Sequence, residues 1–123
     1  MLRTFVFLSA FLGFTGVALG AYGAHSLKSR VSVEDVAVFQ TGVHYQMIHA
    51  LALFGVALLS LYWPGRLVVT AGWLFVVGTL LFSGSLYVLV LVGLGRFGLI
   101  TPTGGMAFLA GWLCLVIAAL KAA

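Results

Sequence analysis

Four long runs without a charged side chain restrict this chain more than any other feature of its sequence. They cover about residues 4–24, 42–63, 67–92 and 104–120. Each run is close to or above the ~20 apolar residues that a helix needs to cross a ~30 Å hydrocarbon layer. Such segments must be helical, because no water is available there to bond free backbone groups. The sequence therefore predicts an all-α membrane protein, a four-transmembrane-helix bundle in a single domain at 1–123.

The polar connections between the runs predict how the helices are arranged. The connection at 64–66 is so short that the second and third helices must be antiparallel neighbours. With the connections at 25–31 and 93–99, this predicts two antiparallel hairpins whose termini share one side of the membrane. The basic residues divide equally, with Arg3, Arg66 and Lys121 on the terminal side and Lys28, Arg30 and Arg96 on the other. Only the free amino group favours cytoplasmic termini.

Composition excludes several classes of protein. The chain is 63% hydrophobic and only 7% charged, whereas a soluble domain carries about 25% charged residues. The basic residues are scattered singly, so they form no patch of the kind that binds nucleic acid. The single cysteine, Cys114, leaves no intrachain disulfide and no cysteine-based metal site. The first run also resembles a signal peptide, but it is longer than a typical signal core, which favours a retained helix.

Glycines in the first run recur on one helical face and predict a packing seam. These positions are Gly13, Gly16, Gly20 and Gly23, spaced by 3, 4 and 3 residues. Small residues at such spacing let helix backbones approach closely in lipid. The fourth run carries a second stripe of small residues, formed by Gly104, Ala107 and Gly111.

Polar side chains are concentrated at 39–54, although this stretch opens the second run. It reads FQTGVHYQMIHALALF. His49 must face the bundle interior, because a buried polar group without a partner costs several kcal/mol in hydrocarbon. Two interpretations are open: a structural hydrogen bond to another helix, or a ligand site, since intramembrane ionisable residues are functional candidates. The candidate ligand-binding residues are His49, Gln46, Tyr45, Ser83, Ser85 and Tyr87, and the candidate polar residues near the interface are His25, Gln40 and His44.

The sequence predicts no metal site, no cofactor and no catalytic residue. His44 and His49 are separated by ~140° around a helix, so one helix cannot easily present both to a metal. The i, i+4 histidine spacing of zinc proteases is absent. No carboxylate lies inside a run, and no set of nucleophile and base or phosphate-binding loop is present.

Two helix starts carry recognisable signals. Ser32, followed by Glu34 and Asp35, is typical of an N-cap with acidic residues in the first turn, so the second helix should begin near position 33. Thr101 is the corresponding candidate cap of the last helix, with Pro102 at its first helical position.

Four motifs, in this order along the chain, resemble a known family. They are GAYGAH at 20–25, FQTGVHYQ at 39–46 with HAL at 49–51, FSGSLY at 82–87, and ITPTGG at 100–105 with GW at 111–112. Together they are similar to the small bacterial inner-membrane proteins of domain-of-unknown-function family 423. The resemblance covers nearly the whole chain and implies a four-helix protein of the plasma membrane, but it implies no activity.

Two functions are compatible with these features. The first is a non-enzymatic integral membrane protein that acts through helix packing, as a homo-oligomer or an accessory subunit. The alternative is a small-ligand binding or transport protein with a polar intramembrane pocket around His49, whose ligand could be a lipid head group, a quinone, haem or a metal ion. An enzyme has less support, since no nucleophile or base can be identified. In each case the predicted surroundings are the lipid bilayer, with no nucleic acid partner.

Overall fold

The structure is a computed structural model that describes residues 1–122 and consists of four α-helices. They are α1 (Leu2–His25), α2 (Val33–Leu59), α3 (Arg66–Val92) and α4 (Thr101–Lys121). Two 3₁₀ turns, Leu27–Ser29 and Gly95–Leu99, lie in the first and third connections. Each α-helix is long and apolar enough to cross a membrane, and residues 1–122 contain no strand. The predicted all-α, four-helix membrane protein is confirmed.

Helices α2 and α3 form the centre of the bundle. In their most apolar segments 44% and 39% of the residues are buried, compared with 17% in α1 and 22% in α4. Helix α1 packs mainly on α2, and α4 packs mainly on α3. Phe5 of α1 also reaches α3, where its ring meets Trp73 edge-on at 5.4 Å. The two outer helices therefore leave most of their surface facing outwards.

Contacts within each sequential pair run in opposite chain directions. Between the first two helices, Gly16, Gly20 and Gly23 lie against Met47, Val43 and Gln40, in that order. Between the last two, Phe75, Phe82 and Ser85 lie against Gly111, Gly104 and Thr101. This is the order of contacts that two antiparallel hairpins produce.

Two apolar clusters fill the interior, one towards each end of the bundle. The larger cluster contains Phe5, Leu53, Val56, Ala57, Val68, Phe75, Phe108 and Ala118. The smaller contains Leu27, Phe39, Val43 and Val90. Lipid tails are as apolar as leucine, so these contacts stabilise the bundle by close packing rather than by exclusion of water. Hydrogen bonds between membrane helices add to this packing by about 0.6 kcal/mol each on average.

The ends of the helices differ in part from the sequence-based expectations. The Ser32 hydroxyl accepts the backbone N–H of Asp35 at 3.1 Å, as expected for the cap of α2. The expectation for Thr101 was wrong: it is the first residue of α4, where no side chain caps the helix, and its hydroxyl lies 2.6 Å from Ser85 Oγ. Helix α3 ends at Val92, and the next residue, Gly93, has a φ of 78°, a left-handed conformation that favours glycine.

The connection between α2 and α3 is longer than its sequence suggested. Helix α2 ends at Leu59, so the expected second span at 42–63 is helical only as far as this residue. Tyr62 and Trp63 consequently lie in the connection and not in the last turn of a helix. These two aromatic residues and the start of α3 form one wall of a cleft at this end of the bundle.

Candidate functional site

The amide of Gln46 connects three helices. Its Nε2 donates to the carbonyl of Leu12 and to Oγ1 of Thr15, each at 2.9 Å, and both acceptors belong to α1. Its Oε1 accepts the hydroxyl of Tyr87 of α3 at 2.6 Å. The Gln46 side chain is only 3% exposed. These bonds to other protein groups use both donors and the oxygen of the amide, so Gln46 has little remaining capacity to bond to a ligand.

His49 connects α2 to α4 through a hydrogen bond of defined direction. The indole Nε1–H of Trp112 donates to His49 Nε2 at 3.1 Å. Because an indole can only donate, Nε2 must be the unprotonated nitrogen, and Nδ1–H then donates to the Tyr45 carbonyl at 2.8 Å. The imidazole also stacks on the Phe108 ring at 3.6 Å with an interplanar angle of 6°. A metal or substrate could bind Nε2 only after Trp112 had moved away.

Two serines of α3 bond to the helices on either side. Ser83 Oγ donates to the carbonyl of Gly42 of α2 at 2.6 Å. Ser85 Oγ lies 2.6 Å from the Thr101 hydroxyl of α4 and 2.8 Å from the Phe82 carbonyl of its own helix. Each of the two hydroxyls therefore forms a hydrogen bond at a different helix–helix contact, Ser83 with α2 and Ser85 with α4.

The remaining polar candidates are Gln40, Tyr45, His44 and His25. Gln40 Nε2 donates to the Gly20 carbonyl at 3.1 Å and forms a further bond between α1 and α2. Tyr45 is 38% exposed, and its ring packs on Phe82 with the centroids 4.6 Å apart. His44 lies on the exposed face of α2, and His25 is exposed at the end of α1. Of these four residues, Tyr45 contacts His49, with the two ring centroids 6.3 Å apart. Gln40, His44 and His25 do not share a pocket with His49.

The six candidate ligand-binding residues thus form several separate contacts between helices. Across residues 1–122, every buried side-chain nitrogen or oxygen has a hydrogen-bond partner. The same residues contain no cluster of three or more His, Cys, Asp or Glu that could hold a metal ion. An arrangement of this kind can fix the positions of helices, and it leaves no buried side-chain nitrogen or oxygen of residues 1–122 without a partner.

Two cavities lie away from the centre of the polar stretch. One, of about 560 Å³, is bounded by the α2–α3 connection and the end of α4. The other, of about 270 Å³, lies between α3 and the second 3₁₀ turn and has a mostly apolar lining. Of the six candidate ligand-binding residues, only Ser85 lines either cavity.

Sequence reasoning missed the partners of the polar stretch. Trp112, Thr15 and Thr101 provide hydrogen bonds to His49, Gln46 and Ser85. One signal was available, since a tryptophan N–H buried in an apolar run needs an acceptor. No spacing along the chain could indicate which acceptor it meets.

The glycines of α1 divide into two groups. A Cβ atom added at Gly20 would lie 3.2 Å from Val43 of α2, and one at Gly23 would lie 2.6 Å from Gln40. A Cβ atom added at Gly16 would lie still closer to its neighbour, the side chain of Met47. A Cβ at Gly13 would have no neighbour within 4 Å, so this glycine is not needed for the close approach of α1 to α2.

Among the glycines, the closest contact with a neighbouring backbone is between α3 and α4. A Cβ at Gly104 would lie 2.8 Å from Cα of Phe82 and closer still to the backbone nitrogen of that residue. A Cβ at Gly78 would lie 3.1 Å from the Gly104 carbonyl oxygen. Glycine at these positions allows the two backbones to touch.

Comparisons with known proteins give a consistent result. A family model described as "Protein of unknown function (DUF423)" matches residues 19–105. The UPF0382 membrane protein YwdK of Bacillus subtilis (strain 168) is 45% identical over 121 residues, which cover 98% of each chain. The UPF0382 inner membrane protein YgdD of Escherichia coli (strain K12) is 39% identical over 126 residues, covering 97% of this chain and 91% of its own. No solved structure matches the chain.

Proposed function

The chain belongs to the DUF423 family of proteins of unknown function, and we propose that it is a non-enzymatic integral protein of the bacterial inner membrane. It acts through its outer helical surface, as a homo-oligomer or as the accessory subunit of a membrane complex. The name of the E. coli relative, an inner membrane protein, supports the location. The polar residues of α2 then stabilise the bundle and do not take part in chemistry.

The observation that carries this proposal is the completeness of the internal hydrogen bonding. Binding sites keep a few polar groups directed at the ligand within a concave pocket. In residues 1–122 no buried side-chain nitrogen or oxygen is without a partner. Gln46, His49 and Ser83 each bond to a different helix from their own. Side chains used in this way support a structural role for the polar stretch.

The outer surface offers the area for association. Large apolar side chains on α1 and α4 point outwards, including Phe7, Phe11, Phe14, Leu109 and Leu113. Phe14 is 78% exposed. In a bilayer these side chains contact either acyl chains or the helices of another membrane protein.

A second candidate function is binding or transport of a small ligand beside His49. Tyr45 favours it, because this residue is partly exposed and its ring stacks on His49 at 6.3 Å. A ligand entering past Tyr45 would reach the imidazole directly. It would still have to compete with Trp112 for Nε2.

Native mass spectrometry of His49→Ala and Trp112→Phe beside the unmodified protein tests the proposal. Both variants lose the hydrogen bond between His49 and Trp112, so the free energy of unfolding of each should fall by about 1 kcal/mol. His49→Ala should lose further stability because it also removes packing contacts. We expect the same subunit count in all three proteins and no bound molecule that depends on His49.

Two outcomes would contradict this expectation. A mass excess that is present in the unmodified protein and lost only in His49→Ala would favour the ligand-binding alternative. A strictly monomeric protein in lipid nanodiscs, with no co-purifying membrane protein, would contradict action through the outer surface. Trp112→Phe serves as the matched control, since it removes the hydrogen bond while retaining an aromatic ring.

A further inference from the structure

A cleft opens at the end of the bundle that carries the chain termini. Its volume is about 560 Å³, and it lies between the α2–α3 connection and the last turn of α4. Arg66 and Lys121 line it, together with Tyr62 and Trp63. Its apolar lining includes the buried side chains of Val68 and Ala118. The cleft thus combines cationic groups with an apolar wall.

Both charged side chains that line the cleft are positive. The chain has only two acidic residues, Glu34 and Asp35, and both lie in the first turn of α2. That turn is at the opposite end of the bundle, because Arg66 and Lys121 lie beyond the far end of α2. No carboxylate side chain of this chain can therefore neutralise Arg66 or Lys121. The side chains that line the cleft therefore give it a positive charge, which complements that of an anion.

The position of the cleft indicates where that anion comes from. Tyr62 is 78% exposed and Trp63 is 37% exposed at the end of two apolar helices. Aromatic residues at such positions lie at the level of the lipid head groups. The cations of the cleft then lie at the same depth as lipid phosphates, which attract Lys and Arg at the surface of an anionic membrane.

We propose that this cleft binds the phosphate of an anionic phospholipid head group, with Arg66 and Lys121 as its ligands. The planar guanidinium of Arg66 can donate two parallel hydrogen bonds to phosphate oxygens, and the Lys121 ammonium adds a point charge. A lipid is favoured over free phosphate because exposed ion pairs contribute little by themselves. The bilayer already holds lipid phosphate at this level, and the apolar wall gives the adjoining glycerol and acyl carbons a surface to contact.

The experiment measures lipid retention by native mass spectrometry after mixing the protein with phosphatidylglycerol or phosphatidylcholine. The test variant is Arg66→Gln with Lys121→Gln. The matched control is Lys28→Gln with Arg30→Gln, which removes two cations from the opposite end of the bundle. Helix content and thermal stability of both are compared with those of the unmodified protein. The substituted side chains are exposed, so we expect both variants to fold.

The expected result is selective retention of phosphatidylglycerol by the unmodified protein and the control. Each cation near an anionic surface should contribute about fivefold to binding, so the test variant should bind phosphatidylglycerol roughly 25-fold more weakly. Arg66→Gln alone should bind phosphatidylglycerol about fivefold more weakly. This single variant provides the test if the double variant does not fold. Equal retention of the two lipids, an equal loss in the control, or displacement of the lipid by inorganic phosphate would overturn the proposal. None of these outcomes depends on the oligomeric or accessory role proposed above.

Discussion

Replacing Gly104 with alanine should destabilise the bundle by about 3 kcal/mol, because the added methyl group would collide with a backbone. The new Cβ would lie 2.8 Å from Cα of Phe82 and closer still to its nitrogen. A side chain could rotate away from such a contact, but the backbone of α3 cannot. The two helices would have to separate, which would also lengthen the hydrogen bond between Ser85 and Thr101.

The neighbouring glycine provides a matched control on the same helix. A Cβ at Gly105 would meet only a ring carbon of Phe82, at an ordinary contact distance of 3.9 Å. Since alanine is the better helix former by about 1 kcal/mol, Gly105→Ala should be neutral or slightly stabilising. Reversible unfolding in mixed detergent micelles would give both free energies. Similar losses in the two variants would show that the close approach of α3 and α4 does not limit stability.

Gln46→Leu should have the second-largest effect, a loss of about 2 kcal/mol. Hydrogen bonds between membrane helices average about 0.6 kcal/mol and reach about 1.7, and Gln46 makes three of them. Leucine has a similar size, so the loss should reflect the hydrogen bonds more than a cavity. The substitution also leaves the hydroxyl of Tyr87 without its acceptor in the bundle interior.

Gln40→Leu separates the particular role of Gln46 from the general cost of removing an amide. Gln40 makes one hydrogen bond between helices, to the Gly20 carbonyl, so its loss should be close to 0.6 kcal/mol. A double-mutant cycle of Gln46→Leu with Tyr87→Phe should show clear coupling, since the two side chains bond to each other. If Gln46→Leu costs no more than Gln40→Leu, the three-helix connection is not a principal source of stability.

Individual residues show which features could be predicted from the sequence and which could not. It indicated correctly that His49 must face the interior, because helix geometry and the cost of an unpartnered polar group require this. It also placed Ser32 at the start of α2, since an N-cap is a local feature. It could not predict that Gly16 packs closely against α2 and Gly13 does not, because both belong to the same stripe of glycines on α1. Which turns of that face meet α2 depends on where the two helices cross.

The four helices and their membrane environment can be predicted from the sequence alone. A chain with so few charges must bury its backbone groups in helices when it enters hydrocarbon, and run lengths alone reveal this. Which polar groups meet cannot be predicted in this way, because it depends on how the helices pack. His49 and Trp112 are 63 residues apart, and Arg66 and Lys121 join one cleft from different helices. Such pairs depend on the register and the crossing angles of packed helices, which result from many weak contacts. No regular spacing of residues in the sequence indicates them.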